Sequence, residues 1–205
     1  MTTTGEPEAP PSPPSPTRAG PAAVLFDRDG TLVADVPYNG DPERVRPMPG
    51  ARAALDALRA CGVRVGVVTN QSGVGRGLLT AGQVGAVHRR VEGLLGPFAV
   101  WAVCPHRPEA DCGCRKPRPG LVRRACRRLG LAPGRVAVVG DIAADMAAAD
   151  AAGAGAAVLV PTPVTRAEEV AAHRAAGGLL ARDLPEAVAL LLDGPDRAAV
   201  VGAAP

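Results

Sequence analysis

A three-layer α/β sandwich around a central, mostly parallel sheet is the fold this sequence predicts, on two observations. Short valine-rich apolar runs alternate with stretches of helical period, the pattern of strands covered on both faces by crossover helices. Aromatic residues are only 2% of the 205 residues while 47% are hydrophobic, so the core must be Ala, Val and Leu, small side chains that let helices lie close on a sheet.

The strands are expected at 22–26, 63–68, 98–103, 135–139 and 156–160, each a brief apolar run bounded by turn formers. Helices are expected near 50–61, 80–95, 119–130 and 142–152, with weaker patterns near 166–176 and 185–193. In the stretch 119–130, Val122, Ala125, Cys126 and Leu129 fall at i, i+3, i+4, i+7 and form the apolar stripe. Arg123, Arg124, Arg127 and Arg128 share its other side, a face for solvent before a nucleic-acid contact. The Pro/Ser-rich residues 1–21 lack both a basic and an apolar signal region and read as a disordered tail; 194–205 read as a second loose end. Between them, 22–193 make one globular domain.

The net charge of +3 is too small to mark a nucleic-acid protein, and no apolar run nears the roughly 20 residues of a membrane span. A cytoplasmic monomer is expected, its five cysteines reduced, clustered ones reading as metal ligands before disulfides. Cys61 and Cys126 fall on apolar helix faces and read as core; His88 and His173 read as surface residues. Of 23 basic residues only Lys116 is lysine. In a composition that uses arginine elsewhere, the retained ammonium points to a site needing a compact charge.

Four polar signals stand at strand ends or helix starts: Asp27-Arg28-Asp29-Gly30-Thr31, Thr69-Asn70-Gln71-Ser72-Gly73, Arg115-Lys116-Pro117, and Gly140-Asp141 with Asp145 four residues on. In an open α/β sheet, ligands sit at the carboxyl ends of the strands. Taken singly, each is as well explained by a cap or a turn. In this order they resemble the four motifs of the haloacid dehalogenase superfamily of phosphohydrolases, with its Rossmann-like fold. The resemblance implies Asp27 as the nucleophile that takes the phosphoryl group and Asp29 as the general acid and base. It implies Thr69 and Lys116 on the phosphoryl oxygens, and catalytic Mg²⁺ on Asp27, Asp141 and the backbone carbonyl of Asp29. Asp145 would support Lys116 or the metal's water.

Cys104, His106, Cys112 and Cys114 form C-x-H-x5-C-x-C within eleven positions, a complete tetrahedral set for structural Zn²⁺ with no open coordination place. With this loop, DRDGT, VTNQSG and CRKPRPG resemble the D-glycero-D-manno-heptose 1,7-bisphosphate phosphatases and the related histidinol-phosphate phosphatases. A capless member is expected, since the stretch 32–49 is too short for an inserted helical domain. The resemblance implies a small phosphorylated sugar as substrate, with Asn70, Gln71 and Arg76 on the sugar and Arg115 on the non-reacting phosphate. One departure is Ile142, where the heptose family usually carries a substrate-contacting lysine. Tyr38, Arg44 and Arg46, in the segment 35–48, read equally as substrate contacts or as solvated loop. Histidinol phosphate, a DNA 3′-phosphate and a non-catalytic zinc-stabilised binding module are the rival readings.

Overall fold

The computed structural model describes residues 20–193. Of the expected tail at 1–21, residues 1–19 lie outside the described residues, as does the whole of the expected tail at 194–205. The chain runs β1 (Ala23–Phe26), α1 (Ala51–Ala60), β2 (Arg64–Asn70), a short α2 (Ser72–Gly75), α3 (Ala81–Leu95), β3 (Val100–Cys104), α4 (Gly120–Leu129), β4 (Val136–Gly140), α5 (Ala143–Ala152), β5 (Ala156–Leu159), α6 (Ala167–Ala175), β6 (Leu179–Leu180) and α7 (Leu184–Asp193). Among the described residues, no helix is long and apolar enough to cross a membrane.

The six strands pair in the order β3-β2-β1-β4-β5-β6, every pair parallel. Period-2 alternation along β1 sends Val24 and Phe26 into one apolar layer and Ala23 and Leu25 into the other. The first layer holds Leu55 and Leu58 of α1, Val87, Val91 and Leu95 of α3, and Leu184, Val188 and Leu191 of α7. The second is built on α4 and α5, with Leu121, Val122, Ala125, Cys126, Ala148 and Ala149. The basic side of α4 is partly tied down: Arg123 donates to the Ala151 carbonyl and Arg128 to that of Trp101.

Three smaller expectations are corrected. Cys61 is exposed, because α1 ends at Ala60 and Cys61 falls in the turn, whereas Cys126 is buried. His88 is partly buried, stacked on Trp101 with ring centroids 4.1 Å apart. His173 is half-buried, its Nε2 3.0 Å from the Leu179 carbonyl oxygen.

The connection order reverses between β1 and β4. Strand β1 continues through α1 to its neighbour β2, while β4 joins on the opposite side. The crevice above their carboxyl ends is the topological switch point, where parallel loops diverge and leave room for a ligand. Asp27 follows β1 and Asp141 follows β4, so both carboxylates enter that crevice. Between Thr31 and α1 there is only irregular chain, a single 3-10 turn and an isolated bridge from Val33 to Pro47; no inserted domain covers the crevice among the described residues.

Candidate active site

The turn after β1 is closed by hydrogen bonds from the Leu32 and Val33 amides to the Arg28 carbonyl, at 3.0 Å each. Gly30 sits in it at φ +81°, with its α-carbon against the Asp141 carboxylate; a Cβ there would be both strained and in collision with that carboxylate. This close approach brings the ends of β1 and β4 together. Thr31 Oγ1 donates to Asp141 Oδ1 at 3.1 Å, and the Thr165 hydroxyl donates to the Asp141 carbonyl at 2.6 Å.

Lys116 is 4% exposed, and its ammonium lies 2.7 Å from Asp27 Oδ1, 2.5 Å from Asp145 Oδ1 and 2.9 Å from the Val68 carbonyl oxygen. Burial alone would disfavour its charge, but Asp145 and Asp27 outweigh that and hold its pKa above the ordinary lysine value. Burial raises Asp27 to about 7; Lys116 opposes the rise, and Asp145 and Asp29 add to it. Burial, with Asp145 next, raises Asp141 to about 6. Asp145 is fully buried and also accepts from the Ile142 amide at 3.3 Å, which fixes it at the start of α5.

A second charged group lies on the other side of the turn. Arg28, 1% exposed, forms a two-pronged pair with Asp29, Nε to Oδ1 at 2.9 Å and Nη2 to Oδ2 at 2.8 Å. Sequence reasoning passed over Arg28; its signal was a guanidinium confined between two aspartates at a strand end. Four carboxylates (Asp27, Asp29, Asp141, Asp145) against two buried cations leave two negative charges uncompensated. The Asp27, Asp141 and Asp145 oxygens lie within 4.8 Å of one another. That donor set fits a hard divalent cation with carboxylate ligands, the chemistry of Mg²⁺.

Asp27, Asp29, Thr69, Asn70, Gln71, Arg115, Lys116, Asp141 and Ile142 line one cavity of about 380 Å³. Its mouth is apolar and aromatic, from Val36, Pro37 and Tyr38 on one loop and Val164 on another. Arg76 is not among the lining residues; it faces Glu109 at 3.8 Å. Arg44 and Arg46 do not line it either, and Arg46 donates to the Glu43 and Val45 carbonyls. The Asn70 amide is committed to the Lys116 backbone, donating to its carbonyl at 3.2 Å and accepting from its N–H at 3.1 Å. Gln71 is likewise committed: its Nε2 donates to Asp29 Oδ2 at 2.8 Å and to Thr69 Oγ1 at 2.9 Å.

The cysteine cluster sits beside this cavity, joined to it through Arg115 and Lys116. The Cys104, Cys112 and Cys114 sulfurs are 3.4–3.7 Å apart, and His106 Nδ1 is 3.3 Å from Cys114 Sγ and 3.5 Å from Cys104 Sγ. These separations are far beyond a disulfide bond and close to the edge of a tetrahedron with Zn–S of about 2.3 Å, roughly 3.7 Å. Burial pushes the Cys104 thiol up to about 12. Cys112 goes the other way: its slight burial opposes ionisation, but backbone N–H groups of Arg115 and Cys114 bring its thiol down to about 6. The donor set fits a structural Zn²⁺.

A family model described as HAD-hydrolase-like matches residues 113–187. The D-glycero-alpha-D-manno-heptose-1,7-bisphosphate 7-phosphatase of Mycobacterium bovis is 44% identical over 118 residues, 54% of this chain and 62% of the relative. The D-glycero-beta-D-manno-heptose-1,7-bisphosphate 7-phosphatase of Yersinia pestis is 35% identical over 179 residues, 81% of this chain and 94% of the relative. The crystal structure of D,D-heptose 1.7-bisphosphate phosphatase from B. bronchiseptica, complexed with magnesium and phosphate, superposes with a TM-score of 0.74 at 30% identity, covering 83% of this chain and 98% of that one. Against the mycobacterial relatives the aligned stretch spans 59–62% of their length. With the parallel sheet, the carboxylate cluster at its switch point and near full-length correspondence to the Yersinia relative, the chain belongs to the heptose 1,7-bisphosphate 7-phosphatase family of HAD-like hydrolases.

Proposed function

We propose that residues 22–193 form a phosphatase domain that removes one phosphate from a small sugar phosphate, with D-glycero-D-manno-heptose 1,7-bisphosphate, cut at C7, as the substrate the relatives favour. One observation carries the chemistry: Asp27 enters the cavity with Lys116 at 2.7 Å, and Asp29 and Asp141 line the same cavity. Asp27 attacks phosphorus, the bond to the sugar oxygen breaks, and Asp29 gives that oxygen a proton. Water then attacks the aspartyl-phosphate, passes its proton to Asp29, and frees Asp27. Thr69 and Lys116 hold the phosphoryl oxygens as their charge changes. Mg²⁺, held by Asp27, Asp141 and the Asp29 carbonyl, would neutralise the phosphate and the uncompensated carboxylates. Cys104, His106, Cys112 and Cys114 would hold Zn²⁺, which keeps Arg115 and Lys116 in register and takes no part in the reaction. Reduced thiols in such a site suit an enzyme working in the cytoplasm.

Arg115, a cation among the cavity's lining residues, would take the second phosphate, and Ile142 and Val164 add apolar surface to the same cavity. Phosphate release with Mg²⁺ should be measured from both anomers of heptose 1,7-bisphosphate, histidinol phosphate, fructose 1,6-bisphosphate and a 3′-phosphorylated oligonucleotide. A heptose preference of about 10²-fold, roughly 2.7 kcal/mol of transition-state discrimination, is expected. Equal rates on all, or a preference for another member of the panel, would replace the heptose assignment. No release from any would sink the phosphatase reading.

A further inference from the structure

Gln71 is 5% exposed and gives both hydrogens of its amide away, one to Asp29 Oδ2 and one to Thr69 Oγ1. Its remaining polar atom, Oε1, is an acceptor and offers nothing to a phosphate oxygen. We infer that Gln71 is a positioning residue for proton transfer: through its two amide hydrogens it sets the orientation of the general acid and of the phosphate-binding hydroxyl together. The inference rests on the phosphatase reading above.

Two consequences follow at the level of single atoms. Asp29 Oδ2 accepts from both Gln71 and Arg28 Nη2, which fills its in-plane lone pairs, while Oδ1 accepts only from Arg28 Nε. Oδ1 therefore keeps one lone pair open, and the proton that moves to the sugar oxygen as its bond to phosphorus breaks is carried there. Water returns a proton to the same atom when it displaces Asp27 from phosphorus. On the other side, Thr69 Oγ1 accepts from Gln71, so its own hydrogen must point elsewhere, and it is left free for a phosphoryl oxygen. Without Gln71, Asp29 is held by Arg28 alone and can rotate about it, and the Thr69 hydroxyl can turn.

The test separates proton donation from binding by leaving group. A sugar alkoxide needs a proton to leave; p-nitrophenolate does not. Gln71→Met keeps the side chain's length without donors, and Gln71→Glu keeps its shape but sets an acceptor against Asp29. Read in single turnovers as release of the leaving group, which excludes the later attack by water common to both esters, each should slow the sugar bisphosphate that the wild type prefers about 10²-fold, and p-nitrophenyl phosphate less than about tenfold. KM should move by less than roughly threefold. Thermal unfolding and zinc content certify the fold, and either variant that keeps both decides the matter. A rise in KM of about tenfold at unchanged kcat would make Gln71 a substrate contact, and equal losses on both esters would leave it a structural or phosphate-binding role; each overturns the inference. Wild-type enzyme that hydrolyses neither ester removes the phosphatase reading itself, and the inference with it.

Discussion

In the proposed reaction Asp27 and Asp29, two residues apart, carry opposite roles, and their neighbours differ to match. Lys116, 2.7 Å from Asp27, would offset its charge as it attacked phosphorus; Asp29 faces Arg28 and Gln71 on the other flank. Replacing Asp27 with Asn removes the nucleophile but keeps the volume, and Lys116 keeps Asp145 at 2.5 Å. Turnover should fall at least about 10⁴-fold with thermal stability and zinc content unchanged. Turnover within about tenfold of wild type would strip Asp27 of the role. The strand-end positions were legible in the sequence because aspartates, a threonine and the chain's one lysine stand just where apolar runs end or a helix begins, the end of a parallel sheet where ligands sit. Asn70 and Gln71 were harder: an amide serves equally to bind sugar or to tie two loops, and only three-dimensional pairing decides. Arg76 illustrates the same limit, since its place opposite Glu109 depends on a loop far away in sequence.

At the scale of elements, strands and helices with a clear period were legible, while those with little to bury gave only a weak pattern or none. The two-residue β6 has only Leu179 and Leu180 to mark it, and α6 has no buried residue among its nine. His88 is instructive because its signal was present. It falls with Val84, Val87 and Val91 at i, i+3, i+4, i+7 of α3, and that spacing predicts the observed contact with Trp101 better than its polarity does. The cysteine loop contains only a three-residue 3-10 turn at Pro108–Ala110, so its fold depends on the ligand set. Cys112→Ser should therefore lose zinc and cost about 2–4 kcal/mol of stability. Faster amide exchange is expected across 104–116, where Lys116 is anchored. Full zinc content, or loss of zinc at unchanged stability, would show that the loop does not rely on the metal.

For the whole molecule, buried charges of two kinds oppose each other in their response to pH, and the metal decides which prevails. Without Mg²⁺, Asp27 and Asp141 have pKa values of about 7 and about 6, above the unfolded carboxylate value of about 4, so the folded state holds more protons between these limits. Each contributes stability that is complete below pH 4 and is lost as pH rises through its folded pKa. His88 works in the reverse sense. Burial, with Arg28 next, lowers it to about 3, so its stability is complete above the unfolded value of about 6.5 and is lost as pH falls. Between pH 4 and 6 two groups oppose one, and metal-free stability should fall by about 1.4 kcal/mol for each unit of rising pH. Exposed pairs such as Arg166–Glu169 and Arg182–Glu186 are screened and shift this little. Mg²⁺ bound to the ionised carboxylates, as proposed, would cancel their contribution and leave His88, so the slope should change sign. Urea unfolding of zinc-loaded protein across this range, with and without Mg²⁺, reads both slopes. His88→Gln should steepen the metal-free slope to about 2.8 kcal/mol per unit and flatten the Mg²⁺ one. A metal-free stability that rises with pH, or slopes indifferent to Mg²⁺, would mean that Asp27 and Asp141 are not the buried pair that the divalent cation relieves.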